Sequence, residues 1–549
     1  MQIYHDKCFI EPITKIIAFN NLEFKKALSE IEEYRKKNFY ILGYIRYCVK
    51  DIFMGLEINS KYPLLYFEVY DSFTEYSPYS PQKKINIYSE PQITFEQYKD
   101  ALTKIKQHIA KGNTYEVNYT YPYKVYTDTD NLTLYNYLLT KQQTNYNTFI
   151  VNDFEELLSF SPELFFKLEN NKITTKPMKG TISRGETEKE DLRNKEFLQK
   201  DIKNRAENVM IVDLLRNDLS KIAKTGTVNV DKLFKIEAHP TVYQMTSEIS
   251  AELKENTSLY NILEAIFPCG SITGAPKIST MNIIDSLEYY SREIYCGAIG
   301  YITKNNMEFS VPIRILQKKK ENNYYQYNAG GAIVWDSEIK DEWEETVIKK
   351  KILDTNIEYQ LLETLLIQNG EVKFFEEHLN RLKQSAKSLQ YCFNTTDFKF
   401  DISKDCIARF LLSKDGKYNI EYRDINELPN NKIVIANDYI NSKNPYLYHK
   451  TTFRPWYKYI LEDYFDILFF NEKQELTEGT RSNIVLQIEG ELYTPPVKSG
   501  ILNGIYRQHL LNTGKVKEKT LYKKDLLNAE KIFCINSVRG MIEVELWFL

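Results

Sequence analysis

Two periodicities alternate along the chain. In FKKALSEIEEYRKK (24–37) an apolar side chain returns every three or four positions, the spacing of one helix face. YPLLYFEVY (62–70) is a compact aliphatic and aromatic run of strand length. FEQYKDALTKIKQHIA (95–110) predicts a helix, Gly112-Asn113 predicts its end, and TYEVNYTY predicts a strand after it. FFKLENNKITTK (165–176) reads as a strand, a turn at Glu169-Asn170-Asn171 and a second strand. Residues 186–222 predict one charged amphipathic helical region, 293–335 are dominated by strands, and DSEIKDEWEETVIKKKILDTN (336–356) predicts a polar helix. The pattern then restarts in YQLLETLLIQNGEVKFFEEHLNRLKQSAKSL as strand, Asn-Gly turn, strand, helix. This restart places a domain boundary near Asn356, giving domains 1–355 and 356–549.

Composition narrows the classes of function. The chain has 549 residues, with 72 Lys and Arg against 75 Asp and Glu. That near balance argues against nucleic acid and against a membrane surface as partners. The seven cysteines are scattered and form no Cys-x-x-Cys pair, so neither a disulfide framework nor a zinc ribbon is predicted. MQIYHDKCFIEP has no signal-peptide core, and no apolar run reaches about 18 residues. A reducing cytoplasm is the expected compartment.

The candidate chemistry begins at TTKPMKGTISR (174–184). Lys179 sits there in a Pro-x-Lys-Gly-Thr turn at a strand end, where a lysine can be aimed into a site. Glu342 and Glu345, in DEWEET, are three apart and share a helix face. Glu207 lies on another predicted helix beside an apolar run. Carboxylates that converge as oxygen-only ligands suit Mg²⁺, although each alone reads as a solvated helical residue. PCGSITGAPK (268–277) and NAGGAIVWDS (328–337) place glycines where backbone N–H groups could cradle an anion. The first lacks the Gly-Lys-Ser/Thr of a nucleotide-binding loop. Arg314 in SVPIRI could hold a carboxylate bidentately.

GNTYEVNYT, FSPELFFK, TTKPMKGTISRG, AENVMIVDLLRNDL, FPCGSITGAPK, YCGAIGY, FSVPIR, AGGAIVWDS and EWEETVIKK follow one another over residues 95–350. In this order they resemble the chorismate-utilising enzymes: anthranilate synthase large subunits, isochorismate synthases and aminodeoxychorismate synthase components I. The resemblance implies an α+β fold, a large sandwich of antiparallel sheets with helices. It implies that Glu207, Glu342 and Glu345 bind Mg²⁺, and that Arg314, Tyr295 and the Gly330–Gly331 backbone bind the enolpyruvyl end of chorismate. Thr181 and Thr273 would line the same pocket. In anthranilate and isochorismate synthases the residue before Gly-Thr is typically alanine, and in aminodeoxychorismate synthases it is lysine. Lys179 is therefore expected to attack C2 of chorismate as a neutral amine, with Glu163 protonating the departing C4 hydroxyl. Ammonia would then add at C4 and expel the lysine. Gln244 stands where many relatives carry a histidine and is assigned no proton transfer. No Gly-x-Cys-x-Gly turn with a downstream His-x-Glu occurs. The ammonia is thus expected from a separate class I glutamine amidotransferase subunit, or from free ammonia at high concentration.

In the second domain, LLETLLIQNG, EEHLNRL, YHKTT, LTEGTRSNI, SGILNGIYRQ and INSVRG resemble the smaller fold-type IV pyridoxal phosphate enzymes. Those include branched-chain and D-amino-acid aminotransferases and aminodeoxychorismate lyase. By that resemblance Lys450 carries pyridoxal 5'-phosphate and Glu478 pairs with its ring nitrogen. Arg381, Gly504, Ile505, Ser537 and Val538 would hold the phosphate, and a homodimer would form through this domain. His378 is expected to be structural. The fusion then implies that 4-amino-4-deoxychorismate loses pyruvate to give 4-aminobenzoate, a folate precursor. The alternative is an anthranilate- or salicylate-type enzyme joined to an aminotransferase.

Overall fold

The computed structural model describes the chain except residues 143, 186, 239–241, 394–397, 427–429, 458–463 and 548–549. It divides into two compact units, Met1–Thr355 and Asn356–Leu549.

The first unit is built on two 10-stranded sheets. One carries Glu116–Thr127 beside Tyr325–Ile333, then Ile315–Lys319, Glu155–Ser161 and Tyr146–Val151. The other runs from Met178–Ser183 through Val242–Glu252, Lys172–Lys176, Leu164–Glu169 and Asn306–Ser310 to the N-terminal strands. The paired strands are antiparallel, as in Leu157↔Ile150 and Ile299↔Tyr44. Ile150, Leu157 and Ile315 of the first sheet pack with Tyr44, Phe67, Phe166 and Ile299 of the second in one apolar core. Helices cover the outer faces. Phe95–Ala110 buries Tyr98, Ala101, Leu102 and Ile105 against the first sheet. Thr94 and Gln97 form its capping box, satisfying backbone donors at the exposed end. The fold is the α+β sandwich expected from the sequence.

The expected helical region is carried by two helices, Glu188–Lys200 and Ile202–Ser220. Asp201 divides them: its backbone is extended and its carboxylate accepts the Asn204 N–H at 2.8 Å, capping the second helix. Lys179 lies in a strand, Met178–Ser183, rather than in a turn. The strand is bulged, with its register shifting between Met178 and Thr181, and Gly180 takes φ = 80° there. A bulge re-aims side chains while keeping the strand paired.

In the second unit a 4-stranded and an 8-stranded sheet carry the chain. Leu361–Gln368, the Asn369-Gly370 turn at positive φ and Glu371–Val372 form a hairpin. Phe375–Leu389 buries His378, Leu379 and Leu382 on the first of these sheets.

Candidate active sites

In the first unit Glu116, the first residue of the Glu116–Thr127 strand, meets the bulged strand. Lys179 Nζ donates to Glu116 Oε1 at 2.7 Å, with side chains 10% and 0% exposed. Burial pulls the Lys179 amine down, but Glu116, then Glu207 and Glu163, outweigh it and hold it protonated, above the usual lysine value. The neutral amine expected from the sequence is therefore not the resting form, because a buried carboxylate stands against it. Glu116 Oε2 is buried without a hydrogen-bond partner. Glu163 is buried in the turn after Glu155–Ser161 and accepts from Ser271 Oγ at 2.5 Å. Burial pushes its carboxyl up to about 7, against the Ser271 hydrogen bond and the nearby Lys179 charge. A carboxyl so placed is a proton donor near neutrality.

Glu342 and Glu345 converge on Gly331. A Cβ at that position would meet Glu342 Oε2 at 3.3 Å and Glu345 Oε1 at 3.6 Å. Burial raises the Glu342 carboxyl, with Glu345 adding to the effect. Burial also raises Glu207, helped by Glu116 and Glu342 and opposed by Lys179 and Lys203. Among the described residues, however, no three Asp, Glu, His or Cys side chains form a cluster that could hold a metal ion. The expected trio is not closed because Lys349 occupies its edge. The Lys349 ammonium pairs with Glu345 at 2.6 Å and donates to the Gly330 carbonyl at 2.6 Å. Glu342 and Glu345, whose oxygens both approach Gly331, are the pair to which a divalent cation could bind, with Glu207 coupled to Glu342 only through charge.

Gly330 and Gly331 lie in Tyr325–Ile333, opposite Thr120 and Tyr119. On its other side this strand pairs with Ile315–Lys319 at Gln326 and Tyr327. The glycine stretch therefore runs past that pairing, beside the end where Arg314 precedes the neighbouring strand. Burial lowers the Arg314 pKa, opposed by Tyr327, and among the described residues no carboxylate pairs with this cation. Such a cation suits an anionic ligand. Tyr295 is buried, and burial raises its phenol far above the ordinary value. Thr273 is buried, with its hydroxyl turned to the carbonyls of Cys269 and Gly270 at 3.3 and 3.2 Å. Thr181 is exposed, opposite the buried Gln244. Glu116, Ser271 and Lys349 were not singled out from the sequence. Ser271 lies in the glycine-rich segment that was, and Glu116 and Lys349 lie in the segments GNTYEVNYT and EWEETVIKK, where they were given no part.

In the second unit Lys450, Glu478, Arg381, Gly504, Ile505, Ser537 and Val538 line one cavity of about 190 Å³. Burial, then Arg454 and Arg381, lower the Lys450 amine to about 7. Burial raises Glu478 to about 7 against Arg454, Tyr457 and the Leu502 N–H. The Glu478 carboxylate accepts from Tyr457 at 2.9 Å and from Asn483 at 2.9 Å, and pairs with Arg454 at 3.3 Å. Two expected phosphate donors are already engaged. Arg381 forks onto Glu363 at 2.9 and 2.5 Å, and the Val538 N–H donates to Asn536 at 3.1 Å. His378 is buried on the same Glu363 at 2.6 Å, which agrees with a structural part. Arg454, Arg481 and Arg539 add positive charge to the cavity wall. The sequence reasoning missed them, although Arg454 follows Lys450 by four positions. A cationic, polar cavity with a desolvated lysine fits an anionic carbonyl cofactor such as pyridoxal phosphate.

Comparisons with known proteins follow the two units. The family described as chorismate binding enzyme matches residues 2–354, and that described as amino-transferase class IV matches residues 360–547. Anthranilate synthase component 1 of Aquifex aeolicus is 38% identical over 48% of this chain and 54% of its own length. Aminodeoxychorismate synthase component 1 of Escherichia coli is 37% identical over 51% of this chain and 62% of its own length. The matched stretch is thus less than two thirds of either relative. The crystal structure of anthranilate synthase component I from Streptococcus pneumoniae superposes with a TM-score of 0.56 at 22% identity, covering 64% of this chain and 92% of that one. That likeness is one of fold. With a family match over most of its length, this chain belongs to the chorismate-binding enzymes and carries a class IV amino-transferase domain after residue 359.

Proposed function

We propose that the chain converts chorismate and ammonia to 4-amino-4-deoxychorismate in its first unit and releases 4-aminobenzoate and pyruvate from its second. The observation that carries this reading is Lys179, a lysine whose side chain is only 10% exposed, in contact with Glu116 and in the electrostatic reach of Glu163. Anthranilate chemistry gives this lysine no part. Lys179 attacks C2 of chorismate, and the C4 hydroxyl leaves as water with the proton of Glu163. Ammonia adds at C4 and expels the lysine, so the net change is OH to NH₂. Arg314 holds a carboxylate of the substrate, and the Gly330–Gly331 edge accommodates the enolpyruvyl group. Glu207, Glu342 and Glu345 would hold Mg²⁺, which would neutralise a second carboxylate. A separate glutamine amidotransferase supplies ammonia.

In the second unit Lys450, Glu478, Arg381, Gly504, Ile505, Ser537 and Val538 would hold pyridoxal phosphate. When bound, that cofactor supplies an electron sink beside the amino-bearing carbon. Lys450, with its amine brought to about 7, removes the C4 proton. Glu478 would hold a proton shared with the ring nitrogen of the bound cofactor. The C–O bond to the enolpyruvyl group breaks, the departing enolate takes up a proton, the one Lys450 removed, to become pyruvate, and the aromatic ring left behind drives the step. The test is one purified chain with chorismate, ammonium, Mg²⁺ and pyridoxal phosphate, its products identified by mass. Release of 4-aminobenzoate and pyruvate is expected, and formation of anthranilate would overturn the reading.

A further inference from the structure

We propose that Glu116 is the base that takes the proton from Lys179 and later returns it. The inference rests on Lys179 acting as the nucleophile. The reaction needs a neutral amine, yet this lysine rests as an ammonium. Its proton needs an acceptor within hydrogen-bond reach, and among the described residues Glu116, through Oε1 at 2.7 Å, is the one carboxylate bonded to it. Glu207, on the Ile202–Ser220 helix, and Glu163, in the turn before Leu164–Glu169, act on Lys179 through their charge. Lys203 acts in turn on Glu207.

Burial decides the direction in which the proton moves. Losing it to solvent would leave the fully buried Glu116 anion unpaired, a costly state. Transfer within the pair removes both charges at once and leaves a neutral amine beside a neutral carboxylic acid. Glu116 Oε2 has no donor of its own, so nothing else fixes the carboxylate as an anion once Lys179 is neutral. The cycle balances. Lys179 –NH₃⁺ and Glu116 –COO⁻ become –NH₂ and –COOH. The amine bonds to C2 while the C4–O bond breaks and Glu163 gives its proton to the leaving oxygen. Ammonia bonds to C4, the C2–N bond breaks, and Lys179 departs as –NH₂. Glu116 returns its proton to it, and the new C4 ammonium gives one to Glu163.

The test compares Glu116→Gln, Glu116→Asp and Lys179→Met in the full chain, following chorismate consumption against pH at fixed free ammonia. Glu116→Gln should lose about a hundredfold or more in kcat with little change in KM. Its residual rate should climb with pH, as solvent takes over the deprotonation. Glu116→Asp keeps a carboxylate and should retain more rate, with the wild-type shape of profile. If Glu116→Gln does not fold, the aspartate variant decides, since a merely structural carboxylate would leave its kcat intact. Wild-type kcat and profile in either soluble variant would overturn the assignment while Lys179→Met is inactive. An active Lys179→Met would instead sink the nucleophile itself.

Discussion

Glu163→Gln separates the acid role from a packing role. The carboxyl is buried and its pKa stands at about 7 instead of 4.5. Each pKa unit is worth about 1.36 kcal/mol, so the difference amounts to something on the order of 3 kcal/mol. The sign follows from a raised carboxyl. The folded state binds the proton more tightly than the unfolded state, so this stabilisation is fully present below 4.5 and is lost as pH rises through about 7. A glutamine at the same place is neutral at every pH. It should keep the Ser271 contact and remove that slope, so the gap in melting temperature should shift in the variant's favour as pH rises across the window. Activity should move the opposite way. The wild-type rate of chorismate consumption should fall above about 7 as the acid is lost. The glutamine variant should be slower by about 10² to 10⁴ and lack that descending limb. The assays are thermal melts and steady-state rates across this range at fixed free ammonia. Melting curves whose difference is constant in pH, or a descending limb that survives in Glu163→Gln, would refute the reasoning.

Lys450→Ala should abolish both the visible absorption band that appears on adding pyridoxal phosphate and the release of 4-aminobenzoate. It should leave chorismate amination running, so that 4-amino-4-deoxychorismate accumulates. A variant that still forms 4-aminobenzoate unaided would refute the assignment. Glu207→Gln, Glu342→Gln and Glu345→Gln should each raise the Mg²⁺ concentration needed for half-maximal turnover, since each removes an anionic oxygen ligand. Three wild-type Mg²⁺ titrations would return these residues to a structural part.

The elements legible in the sequence are those specified by neighbours in the chain. Asn170 and Asn171 take positive φ between two strands, and Asn369-Gly370 does the same between the next pair. Thr94 and Gln97 announce the start of a helix from three residues apart. The site is less legible because its contacts are long-range. Glu116 follows Tyr115, which is 64% exposed, and its immediate neighbours do not distinguish a buried carboxylate from a solvated strand residue. Only pairing with a lysine 63 positions away separates them. The resting charge of Lys179 is not legible for the same reason, because its opposing carboxylate is invisible locally. Lys349 is one of several lysines closing a helix, and only its ion pair with Glu345, beside the Gly330 carbonyl, shows that it partly neutralises the Glu342–Glu345 edge.

The bulge at Gly180 sets a manufacturing tolerance for the first unit. A side chain there would stand 2.8 Å from Asn204 Oδ1 and 3.1 Å from Leu198, on a backbone at φ = 80° that disfavours any L-residue. Asn204 opens the helix that carries Glu207, while residue 180 follows Lys179 directly in the chain. Lys179 and the helix of Glu207 therefore share a clearance narrower than a methyl group. A single added carbon, far too small to fill the substrate space, would pry the two apart and detune both. The spacing of this site is thus held by an absence of matter at one position, and drift there would be felt as lost alignment before it was felt as lost stability.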